Sequence, residues 1–373
     1  MNSVLRRDTL WPYTVKISYD RSKKVNGVCM TSLLEQEIAS QSEVIVRILK
    51  DETERIKKIV ARLPAFDYAL IAARGSSDHA ATYAKYAWST LAGYPVALAA
   101  PSLHTMYKAK VRLGGALVVG ISQSGQSPDI IAVLEEGKRL GRPTLAITND
   151  GSSPLASMAD HVIELHAGLE QSIAATKTYT AQLTVMAIFA AILSGNTQHL
   201  DALQQIPLAI GETLQLNSKL AQDVERYRYM DRCIVIGRGY NYATSFELAL
   251  KLKELTYIMV SAYSSADFRH GPIATIESGL PVFLFMPEGA TYHDMLDLAI
   301  ELNRLGAELL IISDSKQALS MARTALPISP GVPEWLTPLV TIIPGQLFAL
   351  NLALTKGLNP DVPRGLQKVT RTL

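Results

Sequence analysis

Cysteine is nearly missing from this 373-residue chain. Cys29 and Cys233 lie far apart, with neither a CxxC nor a Cys/His spacing. That excludes a disulfide framework and a zinc site, so no metal is expected, and it points to a reducing, cytoplasmic setting. An excess of one charge is missing too: 36 Lys and Arg stand against 34 Asp and Glu. Such a balance gives no electrostatic footprint for nucleic acid or an anionic membrane, and neither is expected as a partner. Long apolar runs are scarce. The stretch near residues 183–193 falls short of the roughly 20 residues that span a bilayer. Residues 1–29 mix basic and aromatic side chains without the apolar core of a secretory signal. What remains is the composition of a soluble globular protein, 48% hydrophobic and 19% charged, long enough for two or three domains with sizeable cores.

Residues 1–29 stand apart from the fold. Met30 precedes Thr31 and Ser32, which can cap a helix from about Leu33, so translation starts there or the segment is an ordered arm. Helical periodicity follows to Leu63, with a break near Ser40, and Pro64 ends it. A strand at 68–73 (YALIAA) then enters Arg74, Gly75, Ser76 and Ser77 and a helix over about 78–91. The same grammar returns at 116–129, ALVVGISQSGQSPD. Its apolar run suits a strand buried on both faces. The loop after it offers Ser122, Gln123, Ser124, Gln126 and Ser127 as neutral donors, with Gly125 for a tight backbone and Pro128 for a first helical turn. A helix N-terminus so equipped can hold a phosphate without lysine. The competing reading is an ordinary capped turn, and the unbroken run of polar and glycine residues favours the cradle. Further strands at 143–149 and 161–165 alternate with helices, which indicates a parallel sheet covered on both faces.

The second half repeats the first. CIVIG at 233–237 answers YALIAA, PVFLFMPEGATYHD answers ALVVGISQSGQSPD, and ELLIISDS answers PTLAITND. Two copies of one fold are implied, joined by a helical connector at about 200–231. MPEGAT replaces SQSGQS in the second copy, so only the first is expected to hold a phosphate. The second instead offers Glu247, Lys251 and Glu254 at i, i+4 and i+7 on one helix face, bordering an apolar stripe of Leu248, Leu252, Leu255 and Met259. A solvated i, i+4 ion pair is the plain alternative, but the Gly-Arg-Gly turn before this helix lies where open α/β sheets bind ligands. His270, ahead of Gly271 and Pro272 in a polar loop, suits proton transfer.

These motifs together resemble the sugar isomerase (SIS) family, in particular the isomerase half of glucosamine-6-phosphate synthase and stand-alone deaminases related to it. The carriers are GSS at 75–77, SQSGQS at 122–127, ATKTYTAQL at 175–183, ELALKLKE at 247–254, RHGP at 269–272 and DVPRGLQKVT at 361–370. The resemblance implies an α/β fold of two tandem SIS domains, each a mostly parallel sheet between helices in three αβα layers. Their expected limits are 30–197 for the phosphate-binding domain and 198–355 for the catalytic one, with 1–29 as an extension and 356–373 as a tail closing over the site. It implies phosphate contacts from Ser77, Ser122, Gln123, Ser124 and Ser127, with Ser76 nearby. Glu254 matches the proton-shuttling carboxylate, Lys251 a lysine beside it, and Glu247 a further acid in the sugar site. His270 matches a ring-opening histidine that reaches a neighbouring subunit, implying a homodimer. Lys368 matches a lysine able to form a Schiff base with an open-chain ketose. Ala175 stands where the synthase has a serine touching the sugar, and Pro101, Ser102 and Leu103 replace a more acidic stretch, so hydroxyl recognition is expected to differ.

No glutaminase domain precedes the pair in this sequence, so the expected activity is a stand-alone deaminase: glucosamine 6-phosphate and water give fructose 6-phosphate and ammonia. Galactosamine 6-phosphate deamination and fructosamine-phosphate deglycation are the near alternatives. A sugar-phosphate sensor without catalysis is the alternative of another class. The proton transfer needs neither metal nor nicotinamide, and no cofactor is expected.

Overall fold

The computed structural model describes residues 32–368. The expectations for residues 1–29, including Cys29, and for Met30 and the tail beyond Lys368 lie outside them. One parallel sheet comprises β1 (Tyr68–Ala72), β2 (Val96–Leu98), β3 (Ala116–Ile121), β4 (Thr144–Thr148) and β5 (His161–Glu164), in the order β2-β1-β3-β4-β5. The other comprises β6 (Arg232–Gly237), β7 (Met259–Ser264), β8 (Pro281–Phe285), β9 (Glu308–Ser313) and β10 (Thr324–Pro327), in the order β10-β9-β8-β6-β7. Taken from its other edge, the second order is the first again, β7-β6-β8-β9-β10. The chain is thus an α/β protein of two tandem three-layer units, as its repeats imply.

Burial explains why the central strands were legible. Every residue of β3, β4 and β8 is buried, because helices cover both faces of a parallel sheet and leave no face for polar residues. Val119 pairs with Ile71 on one side and Leu145 on the other. This strand order reverses its winding between β1 and β3, and again between β6 and β8, which opens a crevice at the strands' carboxyl ends.

The structure corrects the sequence reading at three edge or near-edge strands. β2 has three residues, two of them exposed, and β10 ends in Pro327, so neither carries a readable period. β7 was hidden by the apolar stripe, whose last member, Met259, is not helical. The helix Asn241–Thr256 stops because Tyr257 adopts a left-handed conformation, φ 59°. Met259 then opens β7 and is exposed.

Each copy ends in an apolar helix, Lys177–Leu193 or Pro338–Thr355. Among the described residues the latter alone is long and apolar enough to cross a membrane, yet 83% of it is buried inside the protein. It is a core helix. The helices that follow β1 and β6, Ser76–Ala92 and Asn241–Thr256, pack against each other and join the copies. Thr90 and Tyr240 share a hydrogen bond of 2.7 Å there, and Tyr83 donates to the Trp335 carbonyl at 2.8 Å.

The loop after β8 shows what became of the second cradle. Glu334 accepts hydrogen bonds from the backbone N–H of Ala290 at 2.8 Å and of Thr291 at 3.2 Å, and from the Thr291 hydroxyl at 3.0 Å. These positions correspond in the repeat to Gln126 and Ser127. A carboxylate of the chain itself thus occupies the donors at the N-terminus of the helix Tyr292–Arg304, where an anion is favoured. Glu334→Gln should keep the shape but weaken these charge-assisted bonds, lowering stability by about 1–2 kcal/mol. A urea midpoint equal to that of the unaltered protein would contradict this account.

Candidate active site

The loop after β3 bonds to itself instead: Gln126 N–H, the counterpart of Ala290, donates to Ser124 Oγ at 3.3 Å. Gly125 takes φ +62°, and a Cβ there would stand 2.1 Å from Ser153 Oγ, so only glycine permits the turn. Gly125 N–H donates to Ser122 Oγ at 3.2 Å, and Ser122 and Ser127 hydroxyls lie 3.2 Å apart. Ser127 is the N-cap residue of the helix Pro128–Arg139, but its side chain makes no capping bond. Its hydroxyl instead meets that of Ser122, so this turn is not capped by its side chain. Gln123 and Ser124 are half-buried along the same loop. The wholly buried Asp129 accepts from Arg74 Nε at 2.8 Å, tying the turn after β1 to the helix after β3.

That first turn supplies two serines with different partners. Ser77 is buried and accepts from Gln182 Nε2 at 3.0 Å, which leaves its own proton to be given away. Ser76 faces the other copy and donates to Glu247 Oε1 at 3.0 Å.

Glu247, Lys251 and Glu254 do share one face, but they are more than a border to the core. Glu247 and Lys251 are buried, with side chains 0% and 1% exposed, while Glu254 is 21% exposed. Lys251 Nζ lies 2.7 Å from Glu254 Oε2 and 3.4 Å from Glu247 Oε1, and it donates to Ser76 Oγ at 3.4 Å. Burial works against the charge on both buried groups. For Lys251 the attraction of Glu254 and then Glu247 outweighs it and holds the ammonium well above its ordinary range. For Glu247 the pull of Lys251, His79 and Ser76 outweighs it and holds the carboxyl below its ordinary range. Both therefore stay ionised through neutral pH. The cluster can take up a proton at Glu254, its most exposed member, beside a fixed positive charge.

A second polar group borders it. Glu170, buried, accepts from the backbone N–H of Thr176 at 2.9 Å and of Thr178 at 3.2 Å, and from the Thr178 hydroxyl at 2.7 Å. Its charge is felt at Lys251. Lys368 bonds Glu170 Oε2 at 2.8 Å and the Ser172 carbonyl at 2.7 Å, so the tail lysine lies against the loop that carries the half-buried Ala175. Glu37, from the helix Leu33–Ala39, grips the same loop through Gln171 N–H, Ser172 N–H and the Ser172 hydroxyl.

A family model for the SIS domain matches residues 67–192 and 227–356, one stretch for each sheet. The chain belongs to the SIS domain family. This SIS chain is 32% identical over 339 residues to a glutamine–fructose-6-phosphate aminotransferase (isomerizing) of Pyrococcus horikoshii, covering 89% of the chain and 56% of the relative. It therefore spans little more than half the length of that relative. A crystal structure provisionally described as a phosphosugar isomerase, from Silicibacter pomeroyi DSS-3, superposes with a TM-score of 0.81 at 32% identity over 89% of this chain and all of the other. The C-terminal domain of glucosamine-fructose-6-phosphate aminotransferase from Francisella tularensis gives 0.80 at 25% identity, over 90% and 99%.

Four of the residues marked out in the sequence meet directly in this SIS pair. Ser76, Glu247, Lys251 and Glu254 touch one another in a chain and Ser77 follows Ser76, while Ser122 to Ser127 stand in the loop after β3, whose following helix is tied by Asp129 to the turn after β1. His270 does not join them. It is exposed just past the short helix Ser265–Arg269, and among the described residues its ring has no bond to the cluster. Three participants were missed. His79, 2.7 Å from Glu247, was signalled only by its place three residues after Ser76. Glu170 and Gln182 sit inside or beside motifs quoted for other members. Gly125→Ala should weaken binding of a phosphate-bearing ligand by about 5- to 150-fold, because strain of about 1–3 kcal/mol falls on this loop. Calorimetric titration checks this, and unchanged affinity would remove the loop from the site.

Proposed function

We propose that this SIS chain is an amino-sugar-phosphate isomerase and deaminase, converting glucosamine 6-phosphate and water to fructose 6-phosphate and ammonia. One observation carries the reading. Ser76 bonds Glu247 and Lys251, and Arg74 of the same turn bonds Asp129 of the helix that follows the SQSGQS loop, so a phosphate handle at that loop and the acid–base cluster would flank one turn. The names of the relatives, aminotransferase (isomerizing) and phosphosugar isomerase, support chemistry on a sugar phosphate.

The phosphate is held by Ser77, Ser122, Gln123, Ser124 and Ser127. Glu254 takes the proton from the second carbon of the opened sugar and returns it to the first, while a proton passes from the amine nitrogen to the oxygen of the first carbon, leaving a hydroxyl there and an imine at the second. Water adds to that imine and ammonia leaves, so the atoms balance without an oxidant or reductant. Lys251 offsets the negative charge that develops on the sugar oxygen, and Glu247 keeps that lysine in place. His270, reaching from a second copy in a homodimer, opens the ring. Lys368 closes over the sugar and can hold an open-chain ketose as a Schiff base.

The deciding assay is ammonia and fructose 6-phosphate release from glucosamine 6-phosphate by the purified chain. Galactosamine 6-phosphate and a fructosamine phosphate run in parallel to fix the substrate. Silence on all three, with tight sugar-phosphate binding, would favour a sensor. Glu254→Gln should lower turnover by about 10³-fold or more and leave sugar-phosphate affinity within about threefold; equal loss of both would deny Glu254 its role. Light scattering should find a dimer, and a fully active monomer would remove the shared use of His270.

A further inference from the structure

His79 has no part in the scheme above, yet it makes the closest polar contact to Glu247. Its Nδ1 lies 2.7 Å from Glu247 Oε2. The other oxygen, Oε1, already accepts from Ser76 at 3.0 Å and faces Lys251 at 3.4 Å. Ser76 and His79 are three residues apart on one helix, so a single face of that helix supplies partners for both oxygens. Because Glu247 is an anion that can only accept, the proton in its contact with His79 belongs to Nδ1.

The consequence falls on Lys251. Glu247 is the more deeply buried carboxylate, yet Lys251 lies closer to Glu254, at 2.7 Å against 3.4 Å. That division holds only while Glu247 Oε2 has a donor of its own, since an unpaired carboxylate oxygen at zero exposure is strongly unfavourable. Without the imidazole, Glu247 would draw the ammonium towards itself and away from Glu254. We infer that His79 is a positioning residue: by donating from Nδ1 to Glu247 it reserves Lys251 for Glu254 and so keeps the proton-transferring carboxylate in place. This rests on the role given to Glu254 above. The ring is 16% exposed and borders a cavity of about 290 Å³ lined with Phe246, Lys253 and Tyr263, so smaller polar side chains have room there.

Two variants of the full chain test this. His79→Ala removes the donor, whereas His79→Asn keeps an amide nitrogen near the place of Nδ1. With glucosamine 6-phosphate, His79→Ala should cut kcat about 100-fold and move KM less than about threefold, and His79→Asn should regain at least about a tenth of the lost rate. An unchanged kcat in His79→Ala, or equal losses in the two variants, would overturn the inference. Nitrogen-15 spectra of the unaltered protein supply a readout free of turnover. A proton on His79 Nδ1 at neutral pH supports the assignment, and an Nε2–H tautomer overturns it even in an active enzyme. Absence of turnover on any amino sugar phosphate would count against the proposed function, and the tautomer would still decide where His79 donates.

Discussion

An ammonium group with 1% of its side chain exposed, Lys251, is the constraint on which the arrangement hangs. A buried charge is tolerated only when fully paired, and removing one partner of such a pair typically costs about 3–5 kcal/mol. Glu247 and Glu254 lie four residues before it and three after it, so the helix must run unbroken through all three to flank it. Glu247 in turn needs Ser76 and His79 from the first copy. The two copies therefore meet in one register, because any sliding of the helix Asn241–Thr256 against Ser76–Ala92 would leave buried charges without partners.

Both ends of the described chain are recruited to the same place. Asp361 accepts from the N–H groups of Leu33 and Leu34 at the start of the first helix, and Glu37 from that helix holds the 170–172 loop. Further along the tail, the Arg364 guanidinium sits 4.2 Å over the Tyr257 ring, and the Arg364 backbone N–H donates to the Tyr257 hydroxyl at 2.8 Å. The left-handed Tyr257 thus does two things: it ends the helix that carries Lys251, and it anchors the segment that delivers Lys368.

What the sequence revealed follows from this geometry. The cradle, the repeats and the Glu-Lys-Glu spacing were legible because each is contiguous, so that strand, loop and helix periods state the local structure directly. His79, Glu37 and Glu170 were not, since their meaning lies in contacts between residues 168, 134 and 198 positions apart. Met259 misled for a related reason. An apolar residue at helical spacing looks the same whether or not the helix has already ended, and the stop depends on Tyr257, a residue with no special preference for the left-handed region. The short strands β2 and β10 carry too few residues to declare a period at all.

The carboxylate of Glu334 gives the duplication a stoichiometry. Tethered a few ångströms from the donors of the second loop, it acts at an effective concentration that a diffusing anion can hardly match. The second copy is in this sense always liganded by the chain itself, and its loop donors are closed to a free anion. On the proposed reading, stabilisation by a sugar phosphate would then scale with one site per chain, and the ordering it brings would fall on the half that carries Gly125.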